Sequence, residues 1–176
     1  MLSNRVLLLI VLALLSLASA SAAVVDSAAN GFTVKITVDL KAPPNDVYRA
    51  FVRVADWWES GHTFSGDARN MTIDDKPMGC FCEKLPNGGG VRHMEVVFAA
   101  PGQRLILTGA LGPLQSLGVV GNMEIEFARA EGGSKLTLTY SVGGYIPAGL
   151  NTWAEPVNGM LSQQIARLKT AIEKPR

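Results

Sequence analysis

The sequence has few of the side chains from which metal and redox sites are usually built, since it contains two cysteines and two histidines in 176 residues. Two cysteines allow at most one disulfide bridge, so stability must come from an apolar core rather than from a disulfide framework. The sequence also lacks the G-x-x-x-x-G-K-[ST] loop of nucleotide sites and the G-x-S-x-G turn of many serine hydrolases. These absences exclude a P-loop nucleotide site and leave a serine hydrolase of that type without support.

The first 22 residues have the pattern of a secretory signal peptide. Arg5 is the only charged residue before Asp26, and the apolar run from Val6 to Leu17 follows it. Small residues then provide cleavage points after Ala20 or Ala22. An uncleaved membrane anchor is the alternative, because residues 6–25 are uncharged and about long enough to span a bilayer. We favour cleavage and export to the periplasm or the extracellular space.

The chain after the leader is electrically balanced. Removal of Arg5 leaves 16 − 1 = 15 Lys and Arg residues against 15 Asp and Glu residues. Nucleic-acid binding is not expected without a basic excess, and no membrane contact is expected beyond the export signal. About 176 − 22 = 154 residues remain, which suits one domain, assigned to residues 30–174.

Hydrophobic periodicity predicts strands first and a long helix last. Residues 32–41 alternate apolar and polar side chains, as a half-buried strand does. "APPNDVYRAFV" and "ADWWESG" then predict a short helix and a turn or second short helix. Further strands are predicted at 70–75, 79–85, 91–99, 104–111, 119–129 and 134–145. A helix about 30 Å long is expected last, with a Thr152/Glu155 capping box and one apolar stripe: Val157, Leu161, Ile165, Leu168, Ile172.

These elements predict an α+β fold. A curved antiparallel sheet of about six to seven strands would grip the C-terminal helix, and two short helices would follow the first strand. The order of elements, with "APPNDVYRAFV", "DWW", "MGCFCE" and a "P-x-x-RL" strand turn, resembles the START/Bet v 1-like helix-grip (SRPBCC) superfamily over residues 32–172. The branch that it most resembles contains the Hsp90-ATPase-activator homologues and polyketide-cyclase-like proteins.

The resemblance implies a cavity between the sheet and the long helix that holds a hydrophobic ligand, and some members catalyse cyclisations or hydrolyses in that cavity. A role with Hsp90 does not fit an exported chain, because that chaperone is intracellular.

The segment "CFCEKLPNGGGVRHMEV" predicts a hairpin that carries most of the chemically capable side chains. A five-residue "PNGGG" loop would pair Glu83 with His93. One face would then carry Phe81, Glu83, Leu85, Val91, His93 and Glu95, and the other Cys80, Cys82, Met94, Val96 and Phe98. The glycine-rich turn does not fix the register, and a one-residue slip would move His93 to the cysteine face.

Glu83 and His93 are the candidate catalytic residues. A carboxylate that faces an imidazole selects its tautomer and raises its basicity, which suits a general base. The alternative is an ion pair across two strands on the outer face, which contributes little.

The two cysteines have three interpretations. Two buried thiols that pack as small apolar groups are favoured. A disulfide is the second, although alternate residues of an extended strand lie about 6.6 Å apart, at the upper end of the bridging range. A metal site with His93 and His62 is the third, and C-x-C spacing argues against it. If His62 meets Glu83 and His93, the cluster would suit zinc or iron. We predict no metal and no cofactor.

The predicted ligand-binding residues are mainly apolar. Adjacent tryptophans diverge on a helix, so one is expected in the core and the other at the cavity entrance. The apolar segment 110–121 is either a lid loop or an interruption between strands. The predicted residues are Trp57, Trp58, His62, Phe81, Leu107, Leu111, Tyr140 and Leu161.

The sequence therefore predicts an exported protein that binds a small hydrophobic molecule in an internal cavity. An enzyme of the cyclase or hydrolase type, with His93 as base and Glu83 as its orienting partner, is the alternative. A stress-related module that binds a protein partner is the third class. The sequence does not indicate whether the protein is an enzyme or an oligomer.

Overall fold

The computed structural model describes residues 20–174, which form an α+β fold. Two α-helices are present in this part of the chain, α1 (Pro44–Val52) and α2 (Asn151–Glu173). The strands are β1 (Ser21–Ala28), β2 (Gly31–Leu40), β3 (Met71–Ile73), β4 (Cys80–Lys84), β5 (Gly90–Ala100), β6 (Arg104–Gly109), β7 (Gly118–Ala130) and β8 (Gly133–Tyr145).

The strands form one antiparallel sheet in the order β1-β2-β8-β7-β6-β5-β4-β3. The sheet is not closed, since β1 and β3 lie at its two edges. β2 pairs with the last strand, β8, with Val34 opposite Tyr140 and Ile36 opposite Leu138. The first and last strands of the predicted domain therefore lie side by side.

Alternating side chains explain the inner face of the sheet. In β2 every second residue is buried, from Phe32 to Leu40. In β8 Leu136, Leu138 and Tyr140 face the same interior. Such alternation is expected where one face of an antiparallel sheet packs against a cover and the other faces solvent.

Helix α2 provides that cover. The predicted stripe is confirmed: Val157, Leu161, Ile165 and Leu168 are buried, and Ile172 packs against the same core. The helix lies against β1 and β2 and contacts α1. Its stripe follows the i, i+4, i+8 spacing of one helical face.

The interior between the sheet and α2 is filled by side chains. The void there measures about 10 Å³ and lies among core residues that include Phe81, Leu107, Leu161 and Trp57. A space of this size is at the lower limit for one water molecule. The centre of the fold is therefore a packed core.

The sheet has eight strands rather than the six to seven predicted. The added strand is β1, which pairs with β2 and precedes residue 30, where the sequence placed the start of the domain. Most of its side chains are exposed, so it has no alternating apolar pattern by which to detect it.

Only one short α-helix follows β2, rather than two. After α1 the chain forms single 3₁₀ turns at Val54–Asp56, Ser60–His62 and Ala68–Asn70. The expected capping box at the start of α2 is also absent. The helix begins at Asn151, two residues earlier than a Thr152 cap would place it, and the Thr152 hydroxyl donates a hydrogen bond to the Gly149 carbonyl instead.

The predicted signal peptide falls mostly outside the described residues, which begin at Ala20. One of its two expected cleavage points follows Ala22, which lies within β1 opposite Ile36. Cleavage there would leave a strand that starts at Ala23. Within residues 20–174, none of the helices is long and apolar enough to cross a membrane.

Truncation of Leu161 to alanine should destabilise the protein by about 2–5 kcal/mol, because this buried side chain fills the interface between α2 and the sheet. The unfolding free energy from urea titration measures the effect. The matched control is Gln163→Ala on the exposed side of the same helix, which should change stability by less than about 0.5 kcal/mol. Equal effects of the two variants would contradict this packing.

Candidate functional site

A mainly apolar cavity of about 320 Å³ lies against the N-terminal half of α2. One face of the helix forms its first wall, through Trp153, Pro156, Val157 and Met160. Pro156 is exposed and Trp153 and Met160 are half-buried, so this wall extends to the protein surface. The cavity is therefore at the side of the core and is accessible from solvent.

The connection between β6 and β7 forms the second wall, through residues 111–114. The Leu111 amide donates a hydrogen bond to the Tyr140 hydroxyl at 3.0 Å. Further along, the Gln115 side-chain amide donates to the Arg92 carbonyl in β5. Burial raises the pKa of Tyr140 to about 12, so the hydroxyl stays neutral at physiological pH. These bonds hold the segment at two points.

The third wall is the segment after α1, which contributes Trp58, His62 and Phe64. The Trp58 indole donates to the His62 carbonyl at 3.0 Å. Gln164 of α2, which is fully buried, accepts a hydrogen bond from the Glu59 amide at 2.8 Å. Its side-chain amide donates to His62 Nδ1 at 2.9 Å, so this nitrogen is unprotonated. The wall is thus attached to α2 through Gln164, and also through Arg167, whose guanidinium donates to the Trp57 carbonyl at 2.9 Å and pairs with Glu59 at 2.6 Å.

A buried acid–base pair lies next to the cavity. Glu83 and His93 are 2% and 3% exposed, and Glu83 Oε2 lies 3.1 Å from His93 Nε2. The carboxylate also accepts hydrogen bonds from the amides of Phe64 and Ser65. The His93 ring lines the cavity and stacks on the Phe64 ring, with centroids 5.9 Å apart.

Opposing effects set the pKa values of the pair. Burial alone would raise the pKa of Glu83, but the hydrogen bonds from Ser65, Phe64 and His93 outweigh it and hold the pKa below its ordinary value. Burial lowers the pKa of His93 and outweighs the opposite effect of the neighbouring carboxylate. The pair is therefore an ionised glutamate and a neutral histidine near pH 7.

This charge state fixes the tautomer of His93. Since the Glu83 carboxylate can only accept, Nε2 carries the proton and its N–H donates a hydrogen bond to the carboxylate. Nδ1 is then a hydrogen-bond acceptor. It is buried and has no partner in the described part of the chain. Unpartnered buried acceptors are uncommon in proteins, so this nitrogen is the candidate for a polar contact with a ligand in the cavity that His93 lines.

A β-bulge brings His93 inward. In the ladder between β4 and β5, Phe81 pairs with Met94 and Cys82 pairs with Arg92, so His93 is an extra residue on β5. Both His93 and Met94 are buried opposite Phe81. On the other side of β5, Gly109 of β6 allows a close approach, since a Cβ there would lie 2.9 Å from the His93 carbonyl oxygen.

The predicted register of this hairpin is wrong, although Glu83 and His93 do meet. Glu83 pairs with Val91 rather than with His93, two residues from the predicted register. A shift of two residues preserves the face, and the bulge then reverses the faces of the residues beyond it. Met94 and Val96, which the predicted register places on the face of the cysteines, are therefore buried on the face of Glu83 and Phe81.

The other predicted ligand-binding residues divide between the cavity and the core. Trp58, His62 and Leu111 line the cavity together with His93. The remaining five are buried in the core instead: Trp57, Phe81, Leu107, Tyr140 and Leu161. The Trp57 indole donates to the carbonyls of Ala50 and Phe51, which holds it against α1.

The cysteines form a disulfide between Cys80 and Cys82, with Cα atoms 5.3 Å apart. The favoured interpretation as two packed thiols is therefore wrong. Both residues are half-buried and lie on the face of β4 away from Glu83. Among residues 20–174, no group of three or more His, Cys, Asp or Glu side chains is placed to hold a metal ion.

Sequence reasoning missed the part of α2 that lines the cavity. Trp153 and Met160 lie on the cavity side of the helix and flank the start of its apolar stripe. Their spacing from Val157, four residues before and three after, could have indicated a second contact surface. Gln164 was also missed, because nothing local distinguishes a buried glutamine on a helix from an exposed one.

Comparisons with known proteins identify the fold and no function. No protein-family model matches the sequence, and no curated protein matches it. Solved structures do match: an uncharacterized protein from Rhizobium leguminosarum has a TM-score of 0.60 and 19% identity, covering 91% of this chain and 100% of its own.

Two further solved structures are similar to this chain in fold. A protein from Chromobacterium violaceum has a TM-score of 0.57 and 19% identity, covering 81% of this chain and 98% of its own. A conserved protein of unknown function from Enterococcus faecalis has a TM-score of 0.59 and 14% identity, covering 89% of this chain and 78% of its own. At these identities the likeness extends to the fold alone.

Stability should fall as the pH drops below about 6.5, because the unfolded chain then binds a proton at His93 that the folded protein does not. The folded pKa is depressed, so this loss continues until the pH reaches the folded value. The slope contributed by one group is at most about 1.4 kcal/mol per pH unit. Urea midpoints measured from pH 7.5 to 5.5 test this expectation.

The controls separate the two histidines. His93→Phe should flatten the pH dependence of stability, whereas His62→Gln should retain the share of that dependence that is due to His93. An unchanged slope in His93→Phe would contradict a buried neutral imidazole.

Proposed function

We propose that the protein is an exported member of the START-like helix-grip superfamily that binds a small apolar molecule carrying one hydrogen-bond donor. The observation that carries this proposal is that His93 lines an apolar cavity and has a buried Nδ1 acceptor without a partner among residues 20–174. The fold and the motif resemblance support the superfamily, and the leader-like segment supports export.

The size of the cavity supports a small ligand. Its volume of about 320 Å³ is at the low end of the roughly 300–1,000 Å³ found for small-molecule sites. Rings from Trp58, Phe64 and Trp153 lie around it, and flat apolar molecules stack favourably on such side chains. A molecule of about one or two fused rings is the best match to this space.

The polarity of the site supports a donor on that molecule. A ligand hydroxyl or N–H that reaches His93 Nδ1 would satisfy an acceptor that otherwise remains buried without a partner. Glu83 enforces this preference, because its carboxylate keeps the proton on Nε2. A ligand that offers only an acceptor would face the lone pair of Nδ1 and bind less well.

Naphthalene and 1-naphthol form a matched pair of probes for this preference, since they differ by one hydroxyl. Calorimetric titration should show 1-naphthol binding roughly threefold to tenfold more tightly, the range given by one net hydrogen bond. The preference should disappear in His93→Phe and persist in His62→Gln. Equal affinities for the two probes in the wild-type protein would refute the role of Nδ1.

A second candidate function is catalysis by proton abstraction, and the same nitrogen favours it. A neutral imidazole oriented by a carboxylate and facing an apolar cavity has the arrangement of a general base. The proton of a bound substrate would move to Nδ1, and Glu83 would stabilise the imidazolium through Nε2. This is the chemistry expected of a cyclase or hydrolase that uses His93 as base.

Elimination of 5-nitrobenzisoxazole tests the base directly, because its ring opens to a coloured nitrophenolate once a base removes its C–H proton. The wild-type protein should accelerate this reaction, with a rate that reaches a plateau above the lowered pKa of His93. Equal rates for the wild type and His93→Phe would exclude His93 as a base and leave the binding function alone.

A further inference from the structure

The Cys80–Cys82 disulfide lies opposite the bulge that places His93 in the cavity wall. It encloses Phe81, the residue that faces the bulged pair His93 and Met94. The cysteines are the only two in the chain, and both are half-buried rather than sealed in the core. A reductant would therefore act at this single place in the protein.

At the same step of the ladder, the disulfide shortens β4 and the bulge lengthens β5. The Cα atoms of Cys80 and Cys82 are 5.3 Å apart, whereas alternate residues of an extended strand lie about 6.6–6.8 Å apart. β4 is therefore shortened where β5 carries one extra residue, His93. A difference in path length between paired strands bends them, which is the usual effect of a bulge.

Without the bulge, the same strands have a second pairing available. If the Phe81–Met94 register continued toward the turn, Cys82 would pair with His93 and Glu83 with Arg92. His93 would then face outward beside the cysteines, and the Arg92 guanidinium would face the Glu83 carboxylate. Opposite charges on paired residues are favourable, so this second register compensates the buried charge.

The turn between the strands can take up the displaced residue. Asn87 and Gly88 already adopt positive φ angles of 60° and 79°, and two further glycines follow them. Glycine tolerates such angles at little cost. Arg92 is exposed in the present register, where it pairs with Glu95 at 2.8 Å, so no buried partner holds its side chain outward.

We propose that the Cys80–Cys82 disulfide is a redox-modification site that decides whether His93 or Arg92 faces Glu83. The oxidised form keeps the bulge of β5 opposite Phe81 and places His93 in the cavity wall. Reduction lets β4 extend and moves the bulge into the turn. Arg92 then faces Glu83 in place of His93. The effect on ligand binding rests on the proposed function, whereas the change of register between β4 and β5 does not.

The chemistry is ordinary thiol–disulfide exchange with a dithiol as reductant. One thiolate of the dithiol attacks a sulfur of the bridge and forms a mixed disulfide, and its second thiolate then releases the protein thiol. The dithiol closes to a cyclic disulfide, and its two electrons and two protons leave Cys80 and Cys82 as thiols.

The imidazole of His93 provides a test that requires no ligand. Nitrogen-15 NMR of the oxidised protein should show a single Nε2-protonated tautomer for His93. After reduction with dithiothreitol, confirmed by a mass gain of two hydrogens, His93 should give the spectrum of an exposed imidazole. Cys80→Ser/Cys82→Ser should match the reduced protein with or without dithiothreitol. An unchanged His93 spectrum after full reduction would overturn the proposal.

Affinity for 1-naphthol tests the regulatory consequence. Reduction should weaken binding about tenfold, within the range of roughly 5–150-fold typical of coupled sites. Arg92→Gln removes the ion pair of the second register and should reduce this loss to about threefold. If oxidised protein does not bind the probe but its His93 spectrum responds to reduction, the proposed function fails and the redox change of register stands. Equal affinity in both redox forms would overturn the regulation.

Discussion

A charged carboxylate in the core is the constraint on which the rest of the site depends. Glu83 is nearly inaccessible to solvent and no Lys or Arg of residues 20–174 pairs with it, so hydrogen bonds must stabilise its charge. Two backbone amides and one imidazole N–H provide them. These three donors come from two separate segments, and each has to approach the carboxylate. The segment at Phe64 and the bulge at His93 are both placed by this requirement.

The position of the cavity follows from the same arrangement. The interior between the sheet and α2 is occupied by core side chains, so space for a ligand is found where irregular segments meet the N-terminal half of the helix. Those segments keep their shape because buried polar groups hold them, Tyr140 on one side and Gln164 on the other. The space is thus mainly apolar, and its lining includes His93, whose buried Nδ1 has no partner among residues 20–174. Specific recognition of a small molecule requires this combination.

Local pattern predicted most of the fold and only part of the site. Alternation in β2 and the stripe on α2 reflect burial on one face, and such burial can be recognised from neighbouring residues. The edge strand β1 escaped detection because its exposed side chains have no such pattern. The meeting of Glu83 and His93 was predicted from a register that proved wrong by two residues, and it survived because an even shift preserves the face.

The sequence by itself determined the fold class, the apolar faces and the proximity of an acid and an imidazole on one hairpin, because these depend on periods of two and three to four residues. Only the tertiary structure decided that β5 bulges at His93, that the cysteines are joined and that the cavity lies beside the core. The bulge depends on β6, where Gly109 leaves room for it, and on the hydrogen bonds that Glu83 needs. The cavity depends on segments about 100 residues apart, such as His62 and Gln164. Contacts between distant segments leave no local period in a sequence, so packing alone determines them.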